Sequence, residues 1–214
     1  MNNKYIYLSL CLLAIFLLWT AALTAIDVQA IGPEGSLVGF AELNRFVHRL
    51  TGVHWAFYVL TDWMSLIPLM VILGFGILGL IQWIRRKSLR LVDRSILVLG
   101  IFYLVTGAAF LFFESQVVNY RPVLIEGILE ASYPSSTTML VICVMSTAFL
   151  QVRERIQDSA LKKLVLFLIG AFTVFMVIGR FLSGVHWFTD IVGGMLLSFG
   201  LVAMYAAMAK KRDC

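Results

Sequence analysis

The sequence predicts an all-α integral membrane protein: a six-transmembrane-helix bundle with an outer-face amphipathic helix between spans one and two. Three observations lead there. Apolar residues make up 61% of the 214 and charged residues 14%, against about 45–50% and about 25% in a soluble domain, so the chain cannot cover itself with polar surface. Six stretches are apolar enough to cross a bilayer, which takes about 20 helical residues. Thirteen of the 17 basic residues fall in segments that would share one side of such a bundle.

The first span is expected at about 5–26. Small residues at Ala25 and Ala30 would suit a signal cleavage site. The run is nevertheless longer than the 7–15 residues of a signal core, so retention is expected. Residues 27–54 follow outside. Leu37, Phe40, Leu43, Phe46, Val47 and Leu50 recur there at helical spacing, with Glu42, Arg45 and Arg49 between. This helix either lies on the leaflet or packs over the bundle. The remaining spans are expected at about 55–84, 95–118, 135–152, 164–182 and 188–209. Each must be helical, because lipid offers the backbone no hydrogen bonds. With no repeat, low-complexity tract or long linker, residues 1–214 form a single membrane domain. Trp19, Trp55, Trp63 and Trp187 fall near outer span ends, as interfacial belts do.

Basic residues set the orientation. Arg85, Arg86, Lys87, Arg90 and Arg94 lie between spans two and three. Arg153, Arg155, Lys162 and Lys163 lie between four and five, Lys210, Lys211 and Arg212 in the tail, and Lys4 at the start. Both termini are therefore expected in the cytoplasm. The net charge of +5 is a topology signal and not a nucleic-acid surface. Cys11, Cys143 and Cys214 form neither a disulfide framework nor a metal-spacing pattern, and no metal or other cofactor is implied.

Only Arg45, Arg49, Arg121 and Arg180 are left on the outer side. Arg121 and Arg180 sit at span ends, where a cation is usually paired or functional. Three clusters gather at that depth. His186 and Asp190 are four residues apart at the start of the sixth helix, on one face, and a carboxylate on one imidazole nitrogen fixes the tautomer and leaves the other as a nucleophile. Arg180 precedes them with a planar fork that matches phosphate oxygens. Ser132-Tyr133-Pro134-Ser135-Ser136-Thr137-Thr138 leads into the fourth span, where free amides and hydroxyls make either a simple cap or an anion site. The third cluster runs from Glu114 to Arg121-Pro122. Asp62, within the second span, is placed to pair with Arg121 or Arg180 or to serve as a structural hydrogen-bond partner. Glu126, Glu130, Tyr120 and Tyr133 sit in the short outer loop; they either shape head-group choice or, the preferred reading, are solvated loop residues.

These clusters resemble the type-2 phosphatidic acid phosphatase superfamily, which includes vanadium haloperoxidases and bacterial acid phosphatases. The family pattern is Lys-x6-Arg-Pro, Pro-Ser-Gly-His and Ser-Arg-x5-His-x3-Asp. The chain has Glu114-x6-Arg121-Pro122, Pro134-Ser135-Ser136-Thr137 and Gly179-Arg180-x5-His186-x3-Asp190. The resemblance implies a metal-independent phosphatase of the plasma membrane with an outward-facing site. His186 would form a phosphohistidine, and Asp190 would orient it. Arg121, Arg180, Ser135, Ser136 and Thr137 would hold the phosphoryl group. The substrate would be a lipid phosphate in the bilayer: polyprenyl diphosphate, phosphatidic acid or phosphatidylglycerol phosphate.

Two departures bear on activity. Thr137 stands where the family has its acid histidine, a loss worth about 100- to 10,000-fold. Glu114 replaces a phosphate-binding lysine, worth about 1.5–3 kcal/mol, and as an anion about 4 Å away it would repel phosphate by about 4 kcal/mol at an effective dielectric of 20. Desolvation and a bound phosphate both favour the neutral carboxyl, so Glu114 is the candidate substitute acid. The competing readings are an inactive relative that binds or moves lipid phosphates and a phosphotransferase. A transporter is disfavoured, because the charged groups cluster at one face.

Overall fold

The computed structural model describes residues 3–209 and contains six helical spans. The first is α1 (Asn3–Ala25). A small antiparallel hairpin follows, β1 (Gln29–Ala30) with β2 (Leu37–Val38), and then α2 (Ala41–Thr51). The second span comprises α3 (Trp55–Met64) and α4 (Leu66–Arg86). The others are α5 (Arg94–Ser115), α6 (Ser136–Arg155), α7 (Ser159–Leu182) and α8 (Phe188–Ala209). Lys210, Lys211, Arg212 and Cys214 lie outside the described residues.

Local chemistry explains where the elements depart from an apolar count. Pro68 has no N–H for the Met64 carbonyl and crowds it, so the second span breaks at Ser65, whose hydroxyl bonds to the Asp62 carbonyl at 2.5 Å. The fifth span starts at Ser159, ahead of the expected 164, because Asp158 caps it by accepting the Leu161 N–H at 2.7 Å. Lys162 and Lys163 hide that start from hydropathy. The third span ends at Ser115, short of 118, and Gln116 is already extended.

α6 and α8 form the centre. Within their apolar windows 61% and 50% of residues are buried, against 6–22% in the other spans. A helix wrapped by protein need not be uniformly apolar, and α6 buries Thr137, Thr138, Thr147 and Gln151. α1 runs antiparallel to α8: Ser9 donates to the Gly200 carbonyl at 2.8 Å and, near the other end, Trp19 Nε1 donates to the Thr189 carbonyl at 3.2 Å. Trp19 therefore has a bonding role that the interfacial reading did not include, while Trp55 and Trp63 stay exposed.

α2 packs over the bundle. Buried Asn44 donates to the Gly39 carbonyl and Thr189 Oγ1, both at 2.9 Å, and accepts the Thr189 N–H at 3.2 Å. Leu43, Phe46 and Leu50 remain exposed on its other face.

The basic loops meet at one end. Asp93 accepts from Arg86 Nη1 (2.9 Å), Gln82 Nε2 (2.9 Å) and Arg155 Nη1 (3.1 Å). Arg155 also donates to Gln151 Oε1 at 2.7 Å and Ser95 Oγ at 3.2 Å, and Gln151 Nε2 donates to the Tyr205 hydroxyl at 2.5 Å. Burial opposes the Asp93 carboxylate, but these donors outweigh it and hold its pKa below the usual 3.8.

Candidate active site

At the opposite end, three chain segments converge: the stretch after α5, the start of α6 and the turn from α7 into α8. The turn depends on glycine. Gly184 has φ +67°, and a Cβ there would lie 1.9 Å from the Gly52 carbonyl oxygen, so a side chain is excluded by conformation and by space. The Ser183 carbonyl accepts the His54 N–H at 3.0 Å, and His48 Nε2 lies 3.1 Å from the Gly184 carbonyl.

His186 follows this turn and is buried. Its Nδ1 lies 3.1 Å from the Ser132 carbonyl and 3.8 Å from Asp190 Oδ2. A carbonyl can only accept, so Nδ1 carries the proton and Nε2 presents its lone pair. Nε2 faces Arg121 Nη1 at 3.2 Å. Burial, and then the charges of Arg121 and Arg180, push the His186 pKa well below 6.5, against the smaller upward pull of the Ser132 carbonyl. The imidazole is neutral at neutral pH, as a nucleophile requires. The expectation that Asp190 bonds the imidazole directly is therefore modified: the Ser132 carbonyl is the nearer partner, and Asp190 stands behind it.

Asp190 is fully buried. Its Oδ2 accepts the Trp187 N–H at 2.9 Å and its Oδ1 accepts Asn119 Nδ2 at 3.1 Å. Trp187 Nε1 donates to the Tyr120 carbonyl at 2.8 Å, tying the turn to the segment that carries Arg121.

Both arginines are buried. Arg180 Nη1 donates to Thr61 Oγ1 at 3.3 Å, its guanidinium lies 4.9 Å from the Tyr58 ring centroid, and Nη2 is 3.8 Å from Asp62. Of the two arginines proposed for Asp62, the structure pairs it with Arg180. Arg121 Nε lies 3.0 Å from Glu130 Oε2 but makes no well-directed hydrogen bond, and Arg180 Nε has none either. Glu130 is thus an ion-pair partner and not a free loop residue. The bridge between Tyr120 and Ala131 sets it opposite Arg121.

A cavity of about 20 Å³ borders His186, Arg121, Glu114, Ser132 and Ser136, room for about one water. Ser135 is buried beside it. Its N–H donates to the Asp190 carbonyl at 3.1 Å, and its Oγ accepts Thr138 Oγ1 at 3.0 Å. Thr137 is not brought to this cavity. It lies one helical step round from Ser136 and lines an apolar cavity of about 390 Å³ between α4, α5 and α6. Ser136, Phe110 and Met139 border both spaces, so the apolar cavity and the polar one share a wall.

Tyr133, read from sequence as a solvated loop residue, is buried. It stacks on Phe16 with centroids 6.2 Å apart, and its hydroxyl is 2.7 Å from Thr20 Oγ1. A Cβ at Gly193 would fall 2.4 Å from its ring. Sequence reading missed Thr61 and gave no role to Asn119 or Ser132, although both lie in clusters it marked. Asn119 lies inside a cluster the sequence did mark, but nothing in its type announced a contact with Asp190. Among the described residues no group of three or more His, Cys, Asp and Glu gathers as metal ligands would.

A family model described as the PAP2 superfamily matches residues 69–214. In structure the chain resembles the solved "first transmembrane PAP2 type phosphatidylglycerolphosphate phosphatase from Bacillus subtilis", with a TM-score of 0.63 and 21% identity over 96% of this chain and 98% of that one. At this identity the likeness shows a shared fold. No curated protein matches the chain at a significant level.

Proposed function

The chain belongs to the PAP2 superfamily, and from that premise we propose that it is a metal-independent lipid phosphate or diphosphate phosphatase working through a phosphohistidine. The observation that carries the reading is the buried neutral imidazole with Nδ1 held by the Ser132 carbonyl and Nε2 aimed at a guanidinium. In the proposed reaction a phosphoryl oxygen takes the place at Arg121 that Nε2 now faces, and Arg180 supplies the second fork. Nε2 attacks phosphorus while the bond to the leaving oxygen breaks, and its electron pair goes to that oxygen. In this scheme Glu114, which borders the cavity, gives its carboxyl proton to the leaving oxygen. Water then attacks the phosphohistidine, gives its proton to Glu114 and releases phosphate. Asp190 stabilises the imidazolium formed between the two steps. Ser136, which borders the cavity, and Ser135 next to it are the proposed hydroxyl contacts to phosphoryl oxygens. For Thr137 the proposed role moves to the wall that receives the first carbons of the lipid, because that is the cavity it lines.

An apolar cavity that shares a wall with the polar one supports a lipid over a soluble phosphate ester. The positive-inside rule supports cytoplasmic termini and a site facing outward. The test is phosphate release by purified protein in detergent or liposomes with EDTA present, on polyprenyl diphosphate, phosphatidic acid and phosphatidylglycerol phosphate. Release is expected with the wild type and a loss of about 10⁴-fold or more with His186→Ala. No release on a panel that an ordinary family member hydrolyses would overturn the phosphatase reading in favour of a lipid-phosphate binder.

A further inference from the structure

Asn119 sits two residues before Arg121 and is 1% exposed. Its Nδ2 donates to Asp190 Oδ1 at 3.1 Å. Its main-chain carbonyl accepts both the N–H of Ser132 at 2.9 Å and the hydroxyl of Ser132 at 3.2 Å. The carbonyl of that same Ser132 accepts the proton on His186 Nδ1. One residue therefore braces both groups that face Nδ1: the carboxylate by its side chain and the carbonyl by its main chain. The amide orientation is dictated by chemistry, since the opposite one would point an oxygen at a carboxylate. Asn119 Oδ1 is buried with no partner. What the side chain delivers is the donor to Asp190.

We propose that Asn119 is a positioning residue for phosphoryl transfer, acting through Asp190 and Ser132 on His186. It holds Asp190 Oδ1 so that Oδ2 faces Nδ1 across 3.8 Å. There the carboxylate meets the positive charge that appears when Nε2 bonds phosphorus. It also holds the Ser132 carbonyl that keeps the resting proton on Nδ1. The turnover part of this proposal rests on the phosphatase reading above; the bracing of His186 can be measured without it.

The experiment compares wild type, N119A and the isosteric N119D in two readouts. The first is kcat and KM across pH on the substrate found above. N119A should lower kcat about 10- to 100-fold, the size found for hydrogen-bond partners that orient metal-bound imidazoles, with KM within about twofold. N119D should lose more at pH 8 than at pH 5, because adjacent carboxyls share a proton only in acid; a merely structural role gives no such recovery. The second readout is a ¹⁵N-histidine titration. The chain has three histidines, so H186Q assigns His186, which is faced by Arg121, Arg180 and Asp190 and shares its cavity with Glu114 and Tyr133. N119D adds a carboxylate and should raise the His186 protonation midpoint by about one unit, a tenfold gain in proton affinity. Unchanged kcat in both variants, or a His186 titration that N119D leaves unmoved, overturns the proposal. A shifted titration in a chain that hydrolyses nothing upholds the bracing by Asn119 and sinks the phosphatase reading alone.

Discussion

Both ends of the bundle set arginines against carboxylates, and the two ends are wired differently. At the basic end Asp93 receives three side-chain donors, and Arg155 uses Nε, Nη1 and Nη2 on three separate acceptors. At the other end Arg180 is held by Thr61 and reaches Asp62 only at 3.8 Å, and the Nε groups of Arg121 and Arg180 are buried without a directed bond. A buried N–H without an acceptor is a cost. The network around Asp93 closes on itself and joins α4, α5, α6 and α8. The one around His186 leaves both Nε groups without a directed hydrogen bond, although Arg121 keeps its ion pair with Glu130.

The contrast can be broken at its widest point with Arg180→Lys. A point charge cannot bond Thr61 and fork a phosphate together, so kcat/KM should fall about 100- to 1,000-fold with the thermal midpoint little changed. Glu114→Gln should lower kcat about 100-fold and leave KM within about twofold; unchanged turnover would remove Glu114 as the acid. Asp93→Asn should do the reverse of both. Activity per folded molecule should hold, and the thermal midpoint should drop by about 2–4 °C for a network worth about 1 kcal/mol at this exposure.

The smallest effect is in pH. His186 is neutral in the fold, with its pKa below 6.5, while the unfolded chain protonates near 6.5. Between those two values the unfolded state binds more protons, so this part of the stability is complete above pH 6.5 and declines as pH falls below it. Denaturant titrations at pH 7.5 and 5.5 should show that decline in the wild type and less of it in His186→Gln. The acid limb of the rate profile should lie below pH 6.5 for the same reason.

The spans and the cluster of Arg121, Arg180, His186 and Asp190 were legible in the sequence, because hydropathy and helical spacing carry them directly. Asp158 as a cap was also there to be read, but a count of apolar residues passes over it. Other features were not legible for a physical reason. The partner of His186 Nδ1 is a main-chain carbonyl, and main-chain groups leave no mark on residue type. Glu130 meets Arg121 only because the loop folds back through the bridge of Tyr120 with Ala131. Tyr133 is buried because α1 lies against α8 and fills the space beside it. Thr137 stood next to Ser136 in the string but faces elsewhere, and one helical step was enough to separate them.

The family model starts at residue 69, inside α4, yet much of what surrounds the site comes from earlier in the chain. Thr20 meets Tyr133, Asn44 holds Thr189, and Tyr58, Thr61 and Asp62 surround Arg180. The later portion holds the reacting groups proposed here. The earlier one supplies the groups that grip Arg180, so exchanges there are expected to alter the hold on a headgroup while the proposed reacting groups stay in place.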